Sequence, residues 1–177
     1  MDDDKPAEAR APRVGLRPVA PADAEFLLDV YADSRADEMA LVNFWTDEQK
    51  RAFLRSQLDA QRGEYEARFP AADYQIILVE GERAGRLWVA RTAEQIRLLD
   101  IAILARFRNR GVGTLLVRAL MDEAAERKLP LRHFVFQLNA DALRFYERLG
   151  FRQTGEFQGY LMMEFAPGAA SDPPTGG

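Results

Sequence analysis

Residues 98–116 read L-L-D-I-A-I-L-A-R-F-R-N-R-G-V-G-T-L-L, and this stretch decides how the chain is interpreted. The apolar run at residues 98–104 has the length of a β-strand, and an amphipathic helix is predicted at residues 113–128. A turn rich in arginine and glycine joins them. Such a turn binds anions, because free amide N–H groups and the positive end of the helix dipole point at one place. The stretch therefore predicts a site for a phosphorylated ligand.

The composition is that of an ordinary soluble globular protein. The chain has 177 residues, of which 47% are hydrophobic and 29% are charged, and this length suggests one domain. A net charge of −4 and a pI near 5.2 give no reason to expect nucleic-acid binding. The absence of cysteine excludes disulfides and thiolate sites. A single histidine makes a histidine-based metal cluster impossible without many carboxylates, and the sequence shows no such cluster. No bound metal is expected.

The two ends of the chain differ from the middle. Residues 1–12 are rich in Asp, Ala and Pro, residues 167–177 are rich in Pro, Gly and Ala, and both are expected to be disordered tails. Residues 13–166 are expected to form the single domain. No apolar run approaches the roughly 20 residues of a membrane span, and the acidic N-terminus is unlike a signal peptide. A cytoplasmic protein with no membrane contact is the expectation.

Periodicity and turn residues predict the element order β-α-α-β-β-β-α-β-α-β-β. Strands are predicted at 13–19, 74–80, 83–92, 95–104, 131–138, 151–156 and 160–165. Helices are predicted from Pro21, from Thr46 to before Pro70, over 113–128 and over 140–149, and residues 34–45 are less regular. A helical crossover makes the strands on either side of residues 113–128 parallel. The fold class is α/β (α+β), with a mostly antiparallel sheet of six or seven strands, one parallel crossover and about four helices.

Nucleotide-binding motifs fit the glycine turn poorly. A Walker A loop needs a lysine directly after its last glycine, and Thr114 follows Gly113 here. A dinucleotide fingerprint needs a glycine where Leu116 stands, and the preceding strands form a meander. What remains is R-x-x-G-x-G, carried by Arg108, Gly111 and Gly113. The alternative interpretation is a solvated arginine turn that only caps a helix.

Two motifs together resemble a known family. R-N-R-G-V-G-T-L-L, residues 108–116, resembles the acetyl-coenzyme A signature [QR]-x-x-G-x-[GA] of the GNAT superfamily of N-acetyltransferases. N-A-D-A-L-R-F-Y-E-R-L-G-F, residues 139–151, is similar to that family's second motif, N-x-x-A-x-x-x-Y-x-x-x-G-F. The resemblance covers residues 14–165. It implies a GNAT-like fold, acetyl-CoA as cosubstrate, and acetyl transfer to a primary amine of a small molecule, peptide or protein. Many relatives dimerise, so the resemblance is also compatible with a homodimer.

The resemblance also implies where the coenzyme lies. In the family it occupies the gap where two parallel strands separate, which here are the strands ending at Leu104 and Leu138. Backbone groups of the first strand would pair with the pantetheine arm, and amides of the turn would hold the pyrophosphate. The implied coenzyme contacts are Ile101, Ala102, Ile103, Arg106, Arg108, Asn109, Arg110, Gly111, Val112, Gly113, Thr114, Asn139 and Tyr146.

Tyr146 matches the family tyrosine that faces the coenzyme sulfur, so it is the expected general acid. It follows Asn139 by seven residues, which places both on one face of a helix. The alternative is a packing tyrosine whose hydroxyl bonds to a backbone group. Asn139 is expected to bind the coenzyme or to cap the helix, and the two roles are compatible.

Asp100 is the candidate general base, because it is the one carboxylate inside an apolar strand and burial would suit that role. The favoured alternative is a structural ion pair with an arginine such as Arg91 or Arg97, and a water chain could replace a base. His133 is expected to lie at a strand start without a catalytic role.

Three apolar residues in the irregular segment at 34–45 are candidates for an acceptor pocket: Met39, Phe44 and Trp45. The alternative for the aromatic pair is that it staples the following helix to the core. A second function stays open, namely a non-catalytic acyl-CoA-binding sensor or interaction module, with nucleotide binding third. The sequence does not name the acceptor, the length of the acyl group or the oligomeric state.

Overall fold

The computed structural model describes residues 11–168, which contain seven β-strands and five α-helices. The strands are β1 (Val14–Pro18), β2 (Asp73–Val79), β3 (Glu82–Arg91), β4 (Ile96–Ile103), β5 (Leu131–Phe136), β6 (Arg152–Phe157) and β7 (Tyr160–Phe165). The helices are α1 (Ala24–Ser34), α2 (Ala36–Leu41), α3 (Asp47–Arg68), α4 (Val112–Arg127) and α5 (Ala140–Arg148). Nearly all residues of the two predicted tails, 1–12 and 167–177, lie outside the described residues.

The described strands form one sheet in the order β1-β2-β3-β4-β5-β7-β6, antiparallel except for β4 and β5. This confirms the predicted fold class. Two details differ from the expectation. The helix predicted from Pro21 begins as a 3₁₀ turn, Pro21–Asp23, before α1, and the segment at 34–45 contains α2. Six residues are too few to show helical periodicity, although Ala, Glu, Met and Leu all favour a helix.

The sheet divides between β4 and β5. Their parallel pairing covers only residues 96–98 with 131–133. Beyond that point β4 stays paired with β3 as far as Ile103, and β5 stays paired with β7 as far as Phe136. The facing edges of the two strands are therefore free of each other, and we call the opening between them the cleft.

The register of β3 against β4 shifts just before the cleft. Trp88 lies opposite Asp100 and Val89 lies opposite Leu98, so Leu99 is an extra residue in β4. Such a bulge increases the local twist and bends the strand. At the far end, Gly85 of β3 approaches β4 so closely that a Cβ atom there would lie 2.1 Å from the carbonyl oxygen of Ala102. Only glycine allows this approach.

Helices cover both faces of the sheet. On one face, Trp88 packs against Tyr65 of α3, and Arg86 lies over Tyr31 of α1. On the other face, Arg91 reaches α4 through an ion pair with Glu123 at 2.7 Å. The fully buried core side chains include Leu28, Ile76, Trp88, Ile96, Val117, Leu131 and Met163. β3 is buried along most of its length, whereas residues 100–103 of β4, which border the cleft, are half-buried.

Candidate active site

The loop after β4 presents unpaired amide groups at the start of α4. Asn109 and Gly111 adopt positive φ angles of 58° and 78°, and Gly111 is the N-cap. The first helical bond runs from the Leu115 N–H to the Gly111 oxygen at 2.9 Å. Within the described residues, the amides at 109–114 donate to no acceptor. These amides and the dipole of a helix of 16 residues form a place for an anion.

The three arginines of this loop have different surroundings. Arg108 donates from Nε to the Ile103 carbonyl at 2.7 Å and also pairs with Asp33 of α1. Its guanidinium therefore joins the loop to β4 and α1. Arg106 and Arg110 lie over the Phe107 ring, at 4.8 and 5.6 Å from its centroid, which holds two cations beside the free amides. An open groove runs along the outer side of α4 from the loop. It is lined by Gly111, Thr114, Leu115, Arg118, Ala119 and Asp122.

Asn139 begins the helix on the other side of the cleft. Its side-chain oxygen accepts a bond from the Ala142 N–H at 3.1 Å, so it acts as the N-cap of α5. Its own N–H donates to the Phe136 carbonyl at 2.9 Å, which links the end of β5 directly to the helix. The capping role expected for Asn139 is confirmed, whereas contact with a coenzyme stays a prediction.

Tyr146 is buried in a cluster of rings. Its exposure is 3%, and its ring lies 4.9 Å from that of His133, 5.1 Å from Phe145 and 5.2 Å from Phe151. Burial, reinforced by the negative charge of Asp100, raises the pKa of the Tyr146 phenol well above its usual value. No hydrogen bond joins its hydroxyl to another described residue, so the alternative of a hydroxyl held by a backbone group finds no support. The phenol therefore stays protonated near pH 7.

His133 lies inside this cluster, which the sequence did not indicate. It is the third residue of β5, and its Nδ1 lies 2.8 Å from the Leu98 carbonyl oxygen. Burial lowers its pKa to about 4, so the imidazole is neutral near pH 7. The burial of His133 could have been predicted from the alternation in β5, because Leu131, His133 and Val135 lie on the same inward face of the strand.

Asp100 forms the ion pair that was favoured over the base, but with a different partner. Its Oδ2 accepts from Nε of Arg86 at 2.5 Å, and Arg86 also reaches Gln61 of α3 at 3.4 Å. The expected partners are engaged elsewhere: Arg91 pairs with Glu123, and Arg97 lies 4.1 Å over the Phe134 ring. The bulge at Leu99 explains the error, because it shifts the register and brings Asp100 opposite Trp88 beside the buried Arg86.

The three candidate acceptor residues are not gathered into one pocket wall. Met39 packs against the core, and Trp45 packs edge-to-face on Phe53 of α3 with ring centroids 5.3 Å apart. Phe44 is 78% exposed. Trp45 therefore contacts the following helix at Phe53, which is itself 38% exposed, and this contact does not join the helix to the core. An acceptor role for the three residues stays a prediction.

Residues 11–168 contain neither a candidate metal site nor a helix that could span a membrane. This range contains no group of three or more His, Asp or Glu side chains able to hold a metal ion. No helix in it is both long and apolar enough to cross a bilayer.

The sequence matches the model of the acetyltransferase (GNAT) family over residues 35–151, well over half of the chain. The chain belongs to the GNAT family of acetyltransferases. This confirms the resemblance inferred from the two motifs. The matched range of the GNAT acetyltransferase includes β4, the glycine loop, β5 and Tyr146, so the family assignment covers the whole candidate site. No curated protein sequence matches the chain significantly.

Solved structures share the GNAT fold at low sequence identity. The PaiA N-acetyltransferase of Thermoplasma acidophilum, solved with coenzyme A, has 17% identity and a TM-score of 0.64, covering 87% of this chain and 99% of that one. An acetyltransferase of Thermus thermophilus has 21% identity and a TM-score of 0.62, covering 86% and 96%. Ard1 of Thermoplasma volcanium has 23% identity and a TM-score of 0.55, covering 87% and 97%. At these identities the similarity establishes the fold.

Proposed function

We propose that this GNAT protein is an acetyl-CoA-dependent N-acetyltransferase that transfers the acetyl group directly to a primary amine of a small molecule, peptide or protein. One observation carries the proposal: the facing edges of β4 and β5 are free of each other beyond Leu98 and His133, and the loop that follows β4 carries unpaired amides. The complex of the Thermoplasma acidophilum relative with coenzyme A supports this choice of cosubstrate.

The residues fit the two chemically different parts of the coenzyme. Its pyrophosphate needs several donors and positive charge, which the amides at 109–114 and the cations of Arg106 and Arg110 provide. Its pantetheine arm carries amide groups, and the free edge of β4 at residues 101–103 offers backbone partners in the manner of an added strand. We assign Arg108 the indirect task of fixing the loop to Ile103.

The chain's own groups account for the proton movements of acetyl transfer. The neutral amine attacks the thioester carbonyl, the C–S bond breaks, and the departing sulfur takes a proton from the Tyr146 hydroxyl. A phenol whose pKa is raised by burial remains protonated until that moment. The amine must also lose a proton. Asp100 is the candidate acceptor, since Oδ1 has no partner among the described residues and its side chain is 20% exposed.

The acceptor amine must reach the cleft from outside. We assign the apolar segment around α2 to the approach of the acceptor, with Met39, Phe44 and Trp45 as its candidate contacts. The high exposure of Phe44 supports this assignment, because a large apolar side chain left in solvent is available to a bound molecule.

Two glycine substitutions test coenzyme binding. A Cβ at Gly113 would meet only Ile103 and Phe145 at ordinary distances of 3.6 and 3.7 Å, and a Cβ at Gly63 in α3 would meet nothing within 4 Å. Both helical glycines therefore accept alanine within the protein. We expect Gly113→Ala to weaken coenzyme A binding about tenfold, because the methyl group occupies space beside the free amides. Gly63→Ala should leave binding unchanged.

Calorimetry with coenzyme A measures this binding, and release of free thiol from acetyl-CoA across a panel of amines measures turnover. Absence of coenzyme A binding by the wild-type protein would refute the proposal. Binding without thiol release for any amine would support the second candidate, a non-catalytic acyl-CoA-binding module. The engagement of Asp100 by Arg86 is the observation that favours this second candidate.

A further inference from the structure

The vertex of the cleft, where β4 and β5 separate, is fastened by side chains. Leu98 and His133 form the last bridge between the two strands. The imidazole of His133 adds a second connection between the same two residues, because its Nδ1 lies 2.8 Å from the Leu98 carbonyl oxygen. A backbone ladder alone would leave its last bridge free to fray or to extend. The His133 side chain thus fixes this bridge as the last one in the pairing of β4 with β5.

A second side chain holds the next residue of β4. The bulge removes Leu99 from the ladder with β3, and the Tyr65 hydroxyl donates to the Leu99 carbonyl at 3.0 Å. Two successive carbonyl groups of β4 thus accept bonds from side chains on different elements. The free edge of β4 begins directly after them, at Asp100. The start of the cleft is therefore held from two different elements of the fold.

The geometry determines which nitrogen of His133 carries the proton. A carbonyl oxygen only accepts, so Nδ1 must donate, and the neutral ring is the Nδ1–H tautomer with a lone pair on Nε2. Asp100 and Arg97 on β4 are the charged groups that act on this ring, with opposite effects, and burial outweighs both. The imidazole also lies against Tyr146, with ring centroids 4.9 Å apart and planes 50° apart. One ring thus contacts the strand junction and the phenol.

We propose that His133 is a positioning residue with two separable tasks: its Nδ1–H fixes the vertex of the cleft, and its ring fixes the orientation of Tyr146. The consequences for catalysis rest on the proposed acetyltransferase function, whereas the bond to Leu98 does not. His133 neither accepts nor donates a proton in the transfer itself.

Two substitutions separate these tasks. His133→Asn keeps a side-chain N–H at the position of Nδ1 but removes the ring, while His133→Phe keeps a ring and removes the donor. We expect His133→Phe to weaken coenzyme A binding about tenfold, because the vertex is no longer fastened. We expect His133→Asn to keep coenzyme A affinity near the wild-type value and to lower kcat about tenfold, because Tyr146 loses its packing partner.

Calorimetry gives the affinities, and thiol release gives kcat and KM. The proposal is overturned if both variants match the wild type, or if affinity and kcat fall together to the same extent in both. Tyr65→Phe serves as the matched variant on α3, because it removes only the bond to Leu99. We expect it to weaken coenzyme A binding in the same direction as His133→Phe.

A measurement on the unchanged protein covers the case in which a variant does not fold. His133 is the only histidine in the chain, so ¹⁵N-histidine labelling gives a single imidazole spectrum. We expect the Nδ1–H tautomer at pH 7 and no titration above about pH 5. The Nε2–H tautomer would overturn the proposal whether or not the protein turns over any amine. Failure of thiol release alone would contradict only the proposed function.

Discussion

The surroundings of Tyr146 and Asp100 determine the properties of their side chains. Tyr146 is enclosed by three aromatic rings, and this apolar environment keeps its phenol neutral. Asp100 lies on the strand with the free edge but is held by Arg86, whose side chain is only 1% exposed. Asp100 is close enough for its negative charge to contribute to the raised pKa of the Tyr146 phenol. The two acidic groups thus have different surroundings, one apolar and one held by an arginine.

Tyr146→Phe tests the proposed role of the Tyr146 phenol as proton donor. The ring and its packing remain, while the hydroxyl proton is lost, so we expect kcat to fall by about 10² and coenzyme A affinity to stay unchanged. Tyr74→Phe is the matched control, because the Tyr74 hydroxyl is buried without a partner and lies against Trp88, away from the cleft. The control should retain full activity. Thiol-release kinetics for both variants make the comparison, and wild-type kcat in Tyr146→Phe would exclude the acid role.

His133 predicts a dependence of stability on pH. Its pKa is lowered to about 4 in the folded protein, against about 6.5 in the unfolded chain. Between these values the unfolded chain binds the extra proton, so stability is complete above about pH 6.5 and is lost as the pH falls toward 4. Urea unfolding at about pH 7 and about pH 5 should show that the wild type loses up to about 2 kcal/mol more than His133→Asn. Equal losses would show that His133 titrates normally in the folded state.

The helices and strands were predicted correctly where their hydrophobic periodicity extended over several residues. The seven strands lie within two residues of their predicted bounds, because alternation and turn glycines marked them. The cleft was expected only through the family resemblance, since nothing in the separate patterns of β4 and β5 shows that their pairing stops at Leu98 and His133. The partner of Asp100 depends on the bulge at Leu99, which is a property of two paired strands together. The sequence pattern of one strand therefore does not predict the bulge or the ion pair that depends on it.

Gly85→Ala tests whether the close approach of β3 positions the free edge of β4. The new methyl carbon would lie 2.1 Å from the Ala102 carbonyl oxygen, which forces the backbone to move. We expect a loss of about 2 kcal/mol or more in unfolding free energy, together with weaker coenzyme A binding. Gly15→Ala on β1 is the control, because its Cβ would meet only Leu78, at 3.9 Å. Urea unfolding and calorimetry check both variants, and similar behaviour of the two would refute the positional role of Gly85.

At the scale of the whole molecule, the sheet consists of two antiparallel parts that share only three parallel bridges. β1 to β4 form one part and β5, β7 and β6 form the other. Helix α4 connects the two parts in sequence and begins at the loop of free amides. A ligand bound in the cleft would lie where these two parts of the sheet separate.

Binding at this junction should stabilise the entire fold, because a ligand that binds only the folded state adds its binding free energy to unfolding. At a concentration of about 100 times Kd, coenzyme A should add about 2.7 kcal/mol, which raises Tm by about 5–10 °C for a chain of this size. Gly113→Ala, with its tenfold weaker binding, should lose about half of this shift at the same concentration, while Gly63→Ala should keep it. ATP lacks the pantetheine arm that would use the β4 edge, so at equal concentration it should shift Tm much less. Thermal unfolding followed by circular dichroism measures Tm for the wild type with coenzyme A, for the two variants with coenzyme A, and for the wild type with ATP. An equal shift with ATP would support nucleotide binding at this site instead of coenzyme A binding.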